Sequence, residues 1–296
     1  MKTSLECISC FVRQATEAAS FCVPEESRRT EILRIILEEI ARSDWNCTSP
    51  KMGQLIHRLI RRETSVVDPY ADMKRSMNQL ALELLPSLRQ EARLADDPRA
   101  TMVRLAIAGN LLDAGAKSGL TMESCRSTIS RMCRGECLQG GADRLFDSAA
   151  KARRILYLAD NAGEIVFDRA LIELLPMEKL TVAVRGFPVI NDATLEDALV
   201  AGLPTLVSVL SNGSDAPGTL LEDCSSEFRQ LFEQSDMVIS KGQGNYESLS
   251  ETDKHIFYLL QVKCDCVARH LGVSVGATAL CEKTGADQRV QSCALT

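Results

Sequence analysis

Asp160-Asn161-Ala162-Gly163-Glu164 follows the apolar run Ile155–Leu158, and Asn191-Asp192 lies beyond a second run, Leu180–Val184. A third run, 205–210, leads into Asn212-Gly213-Ser214-Asp215-Ala216-Pro217-Gly218-Thr219. A fourth, 237–239, leads into Lys241-Gly242-Gln243-Gly244-Asn245, and a fifth, 256–262, ends at Lys263-Cys264. Asp160, Asn161 and Asp192 offer only hard oxygen donors, with no histidine near any of the clusters. Such a set suits Mg²⁺ or Mn²⁺ better than a dedicated zinc site. Gly163, Gly213, Gly218, Gly242 and Gly244 let backbone N–H groups come close to an anion. Glu164, Asn212, Asp215, Thr219 and Asn245 are the polar side chains expected around a bound substrate, and Lys241 adds positive charge where a phosphate would sit. A metal, glycine-rich turns and a lysine together describe phosphoryl chemistry. Each part has a plainer alternative. Asp160 could cap the helix that follows it, the glycines could serve turn geometry alone, and Glu164 and Asp168 could complement a helix dipole.

Two commoner phosphate motifs are absent. No G-x-x-x-x-G-K-[ST] occurs, so a P-loop has no support, and no G-x-G-x-x-G follows the first run, so a dinucleotide cofactor has little. Asn110 and Asp113 sit one helical turn apart, where both could contact the non-phosphate part of a substrate or simply form a polar helix face. Cys7 and Cys10 share a helix face near the start of the chain, and Cys133 with Cys137 repeats the pattern one residue wider. They are either an auxiliary zinc or iron site or inert thiols, because the pairs are too far apart and too variably spaced for a zinc finger.

These clusters need elements to position them. Short continuous apolar runs alternating with helical segments predict a parallel sheet covered on both faces, with ligands bound outside the carboxyl ends of the strands. Before them the pattern is helical. Ile32, Ile35, Ile36 and Ile40 form a stripe, and Ser49-Pro50, Asp68-Pro69 and Asp97-Pro98 carry a helix-start signature. The expected organisation is an α/β chain with a helical domain over 1–152 and a doubly wound, mostly parallel α/β/α domain over 153–296. The basic stretch Lys151-Ala152-Arg153-Arg154 marks the switch.

Composition narrows the function. With 34 Lys and Arg against 40 Asp and Glu, and no basic cluster interleaved with aromatics, nucleic-acid binding is not expected. Arg58 to Arg62 reads as the solvated face of a helix. No apolar run approaches membrane-spanning length and no signal-peptide core follows Met1, so a cytoplasmic protein is expected, with its twelve cysteines reduced. The expected partner is a small phosphorylated metabolite, with an oligomer possible.

The segment 160–168 resembles the signature of the metal-dependent damage-control phosphatases, long catalogued only as a domain of unknown function. Val189-Ile190-Asn191-Asp192-Ala193-Thr194, Asp215-Ala216-Pro217-Gly218-Thr219 and Ser240 to Glu247 resemble the family's later blocks, in order. Cys7-Ile8-Ser9-Cys10 and Ala108-Gly109-Asn110-Leu111-Leu112-Asp113 are similar to its prokaryotic branch. The resemblance implies hydrolysis of phosphomonoesters, often sugar phosphates or damaged phosphometabolites, with Mn²⁺, Mg²⁺, Co²⁺ or Ni²⁺. It also implies Asp160, Asn161 and Asp192 as metal ligands and Lys241 as the phosphate-binding lysine. The expected mechanism is attack by a metal-activated water, with Asp192 a candidate base. An aspartyl-phosphate route through Asp160 fits less well, since Ala162 stands where a second acid is usual. The alternatives are an S-adenosylmethionine-dependent carboxyl methyltransferase, a function also described for some relatives, and a non-catalytic sugar-phosphate or nucleotide binder.

Overall fold

The computed structural model describes residues 1–111, 121–134, 141–285 and 291–294, the last four by their backbone. The described helices before the sheet are α1 (Cys7–Cys22), α2 (Glu26–Arg42), α3 (Ser49–Thr64), α4 (Ala71–Arg93), α5 (Pro98–Ala108), α6 (Met122–Cys133) and α7 (Gly141–Lys151). Strand and helix then alternate through β1 (Ile155–Leu158), α8 (Glu164–Ile172), β2 (Leu180–Val184), α9 (Leu195–Val200) and β3 (Ser208–Ser211). The alternation continues through α10 (Ser226–Gln234), β4 (Met237–Lys241), α11 (Gln243–Leu249), β5 (Ile256–Gln261) and α12 (Asp265–Leu271). Two more strands, β6 (Thr278–Lys283) and β7 (Gln291–Ala294), complete the sheet.

The sheet order is β3-β2-β1-β4-β5-β6-β7. Its first five strands are parallel, and β6 and β7 are antiparallel to their neighbours. The inner strands β1, β2, β4 and β5 are mainly apolar because both faces are covered, whereas the edge strand β3 is only half-buried. Tyr157, Val182, Ile239 and Phe257 pack under α4 to α8, while Leu156, Leu158, Val238 and Tyr258 pack under α10 to α12. The third apolar run begins late, since Leu203–Thr205 is a 3₁₀ turn and β3 starts only at Ser208.

Local signals account for the helices. Ile32, Ile36 and Ile40 lie on one face of α2 and are buried against α1 and α3, whereas Ile35 is half-buried beside them. Asp97 caps α5 by accepting from Ala100 N–H at 2.9 Å, and Pro98 occupies the first turn. Ser49-Pro50 lies one residue further in, behind Thr48 at the cap position.

The division expected at 152 and 153 does not coincide with a break between cores. One apolar cluster runs from Met77 and Leu84 in α4 through α5 and α7 to Val182, Ile239 and Leu280 of the sheet. Of the described helices before the sheet, α1 to α3 keep a core of their own. The basic stretch at the supposed switch ties down the start of β1 instead. Arg153 and Arg154 donate backbone N–H to Asp236, at 3.0 and 2.8 Å, just before β4.

Candidate active site

The loops after β1 and β2 zip together beyond the sheet. Ala193 N–H donates to Asp160 O, Ala162 N–H donates to Asn191 O, both at 2.8 Å, and Asn161 opposes Asp192 in an isolated antiparallel bridge. Asp160, Asn161 and Asp192 are thereby set side by side. The turn that delivers them puts Ile190 in the left-handed region, φ 45°, a strained setting for a β-branched residue. These loops line a crevice of about 670 Å³ together with Gly244 and Glu247 of α11, Lys263 after β5, and Cys7, Cys10 and Arg13 of α1. The crevice therefore lies at the carboxyl ends of the parallel strands, as the sequence pattern predicts.

The electrostatics of the ligand set are out of balance. Burial, then the nearby Glu164 and Asp192, push the Asp160 carboxyl well above the usual range, against the pull of Arg185 and Lys263. Burial also raises Asp192, although Arg185 Nε donates to it at 2.6 Å. Asp160, Glu164, Asp168 and Asp192 are all buried, and the buried cations among them are Arg185 and Lys241. Four carboxylates thus face two cations, and burial favours a protonated Asp160, a proton that a divalent cation bound there would displace. Among the described residues no group of three His, Cys, Asp or Glu gathers as a metal site. The candidate set has two carboxylates and the amide of Asn161, whose Nδ2 donates to Asp160 Oδ2 at 2.7 Å and to Glu164 Oε2 at 3.0 Å. Oxygen donors of this kind fit a hard divalent ion.

Lys241 departs from its expected role. It is fully buried, and its Nζ donates to Ala106 O at 2.9 Å and to Glu164 and Asp168 at 2.6 Å each. Burial works against its charge, but Asp168 and Glu164 overcome that and raise its pKa. A lysine with three protein acceptors has no N–H left for a phosphate. Its effect reaches the crevice through Glu164, which holds Asn161.

Several other expected substrate contacts are likewise spent inside the protein. Asn212 Oδ1 accepts from Gly186 and Ser214 N–H, and Ser211 and Ser214 hydroxyls accept from Gly213 and Ala216 N–H, so this loop's amides are not presented to an anion. Asp215 is held by Gln54, Arg58 and Arg61, at a separate hollow. The Arg58 to Arg62 stretch is thus in part a tether between α3 and the loop after β3. Thr219 donates to Asn245 Oδ1, and Asn245 donates to Ala159 O and Lys241 O, a buried layer behind Arg185. Gly218 packs against α3 and α11, and Gly163 N–H donates to Asn78. Gly242 makes room for Asp160, since a Cβ there would lie 2.0 Å from its carboxylate. Asn110 supports Asp160 from behind, with Nδ2 3.4 Å from Oδ2, and Asp113 lies outside the described residues.

Cys7 and Cys10 do reach the crevice, as do Cys264 and Cys266, and the Cys7 and Cys266 thiols share the Ser4 hydroxyl. Cys7 Sγ is 3.6 Å from the hydroxyls of Ser4 and Ser49, and Arg13 donates to Cys10. Cys137 lies outside the described residues. Two residues that the sequence reading passed over matter more. Lys263 is exposed on the crevice rim and close enough to favour the charged forms of Asp160 and Asp192. Its signal was its place at the end of the fifth apolar run. Glu247, also lining the crevice, is pushed up to about 7 by burial, against Gln243 and the N-terminal amine.

A mostly parallel sheet with a buried, carboxyl-rich crevice at its strand ends defines an α/β protein whose donor set fits a hard cation. Residues 3–279 match the damage-control phosphatase ARMT1-like domain, and the chain belongs to that family. It is 35% identical to an uncharacterised protein of Methanocaldococcus jannaschii over 96% of each chain. It is 34% identical to a damage-control phosphatase of Archaeoglobus fulgidus, over 93% of this chain and 97% of the relative. The crystal structure of a DUF89 family protein from Pyrococcus horikoshii superposes with a TM-score of 0.86 at 31% identity, covering 94% of this chain and 98% of that one. Family and relatives together support a phosphatase enzyme.

Proposed function

We propose that the chain is a divalent-metal-dependent phosphomonoesterase acting on small phosphorylated metabolites, in a metabolite-repair role. The observation that carries this is the cluster of four buried carboxyl groups, Asp160, Glu164, Asp168 and Asp192, with only Arg185 and Lys241 buried among them, opening on a crevice rimmed by Lys263 and Arg13. Asp160, Asn161 and Asp192 would hold the ion. A divalent ion there supplies neutralisation of phosphoryl charge and acidification of a water. Arg185, fixed by Asp192 and Thr219, keeps Asp192 in place. Lys263 and Arg13 meet the phosphate oxygens, the task that Lys241 is too enclosed to perform. Glu247 can hold a proton near neutral pH and pass it to the departing alkoxide.

The test is phosphate release from a panel of phosphomonoesters after chelation, with single divalent ions added back. Release restored by Mn²⁺, Mg²⁺, Co²⁺ or Ni²⁺ supports the reading. A folded protein that binds metal but releases nothing would point to a binder, and methyl transfer from S-adenosylmethionine would point to the methyltransferase.

A further inference from the structure

Lys74 and Asn78 lie one turn apart on α4, so both side chains leave the same face. Both are buried. Asn78 Oδ1 accepts from Gly163 N–H at 2.6 Å, and its Nδ2 donates to Asp197 Oδ1 at 2.8 Å. Lys74 Nζ lies 2.9 Å from Asp197 Oδ2. Gly163 closes the loop that carries Asp160 and Asn161. Asp197 closes the loop that carries Asp192, accepting from both Thr194 N–H and Thr194 Oγ1 in a capping box. One amide side chain thus bridges the two loops on which the candidate ligands sit, without itself lining the crevice.

We propose that the Lys74 and Asn78 face of α4 is a positioning device that fixes the gap between the Asp160-Asn161 loop and the Asp192 loop, and so sets metal affinity. The inference rests on the metal reading given above. Neither residue lines the crevice, so neither touches substrate. Removing the bridge leaves Gly163 N–H and one Asp197 oxygen unpaired and lets the loops drift relative to each other. Outer partners of this kind are worth roughly 10–100-fold in metal affinity.

The experiment is Mn²⁺ titration of the full-length, metal-stripped protein, read by the EPR signal of free Mn²⁺ well below the unfolding temperature. Asn78→Ala is expected to weaken binding roughly 10–100-fold. The Mn²⁺ concentration for half-maximal phosphate release should rise in step, while kcat at saturating Mn²⁺ returns to the parent value. A purely structural role would lower thermal stability and leave the dissociation constant of the folded protein unchanged. Asn78→Asp keeps the acceptor for Gly163 but sets a carboxylate against Asp197, so it should fall between Ala and the parent, and it carries the test if Asn78→Ala does not fold. If the parent binds Mn²⁺ and the variants match it within twofold, the inference falls alone. If the parent binds no divalent ion, the metal reading falls and takes the inference with it.

Discussion

Gly242→Ala should uncouple the candidate ligand Asp160 from its place with a single methyl group. Gly242 has φ 76° and ψ 165°, a region that essentially only glycine occupies, so alanine costs about 1–3 kcal/mol in backbone strain. The added Cβ would also stand 2.0 Å from Asp160 Oδ2 and 2.1 Å from its Cγ. Carbon contacts relax at about 3.5 Å, so the carboxylate must retreat by more than ~1 Å from its present place. A displacement of that size costs on the order of 100-fold in rate. Gly272→Ala is the control. Gly272 has φ 70° but nothing within 4 Å of its would-be Cβ, so it suffers strain without a clash. Both variants should lose several degrees of Tm, at about 2–4 °C per kcal/mol. Only Gly242→Ala should also lose Mn²⁺ affinity and phosphate release. Parent-level affinity and turnover in Gly242→Ala, with the same Tm loss as Gly272→Ala, would refute the placement of Asp160.

Other consequences are as direct. Lys241→Met strands the buried Glu164 and Asp168 carboxylates, so chemical denaturation should show a loss of about 3–5 kcal/mol. Lys263→Ala should change stability by no more than about 0.5 kcal/mol and act on KM for phosphomonoesters instead. Glu247 supplies a pH test. Burial raises it from 4.5 to about 7, so the folded state binds the proton more tightly than the unfolded state, and stability falls as pH rises through that window. At about 1.4 kcal/mol per pKa unit the loss is on the order of 3 kcal/mol. Glu247→Gln should accordingly raise Tm at pH 8 and leave it nearly unchanged at pH 4. An equal Tm shift at both would show that the carboxyl is not held protonated by burial.

The strands were legible because parallel strands covered on both faces must be apolar end to end, and the runs at β1, β2 and β4 stand out for that reason. β6 escaped notice although α12 stands before it, because its apolar stretch is only Ala279-Leu280-Cys281 and runs straight into Glu282 and Lys283. The ligand loops were legible as clusters at strand ends. The fate of Lys241 was not, since its partners return from α8 and α5, and no spacing in the sequence reports that Glu164 and Asp168 face back across the sheet. Asp215 failed for the same reason. Its arginines stand more than 150 positions earlier in the chain.

The core shared by helices and sheet bears on how the chain is made. Nine of the eleven residues of α5 are buried, and its neighbours include α8 and β5 as well as α4 and α6. On the ribosome α5 emerges long before residues 256–261, and β1 cannot settle into the centre of the sheet until β4 appears some eighty residues later. The half-made polypeptide thus holds an apolar rod that α4 and α6 cover only in part until the sheet is complete. Shielding by chaperones is most needed in that interval.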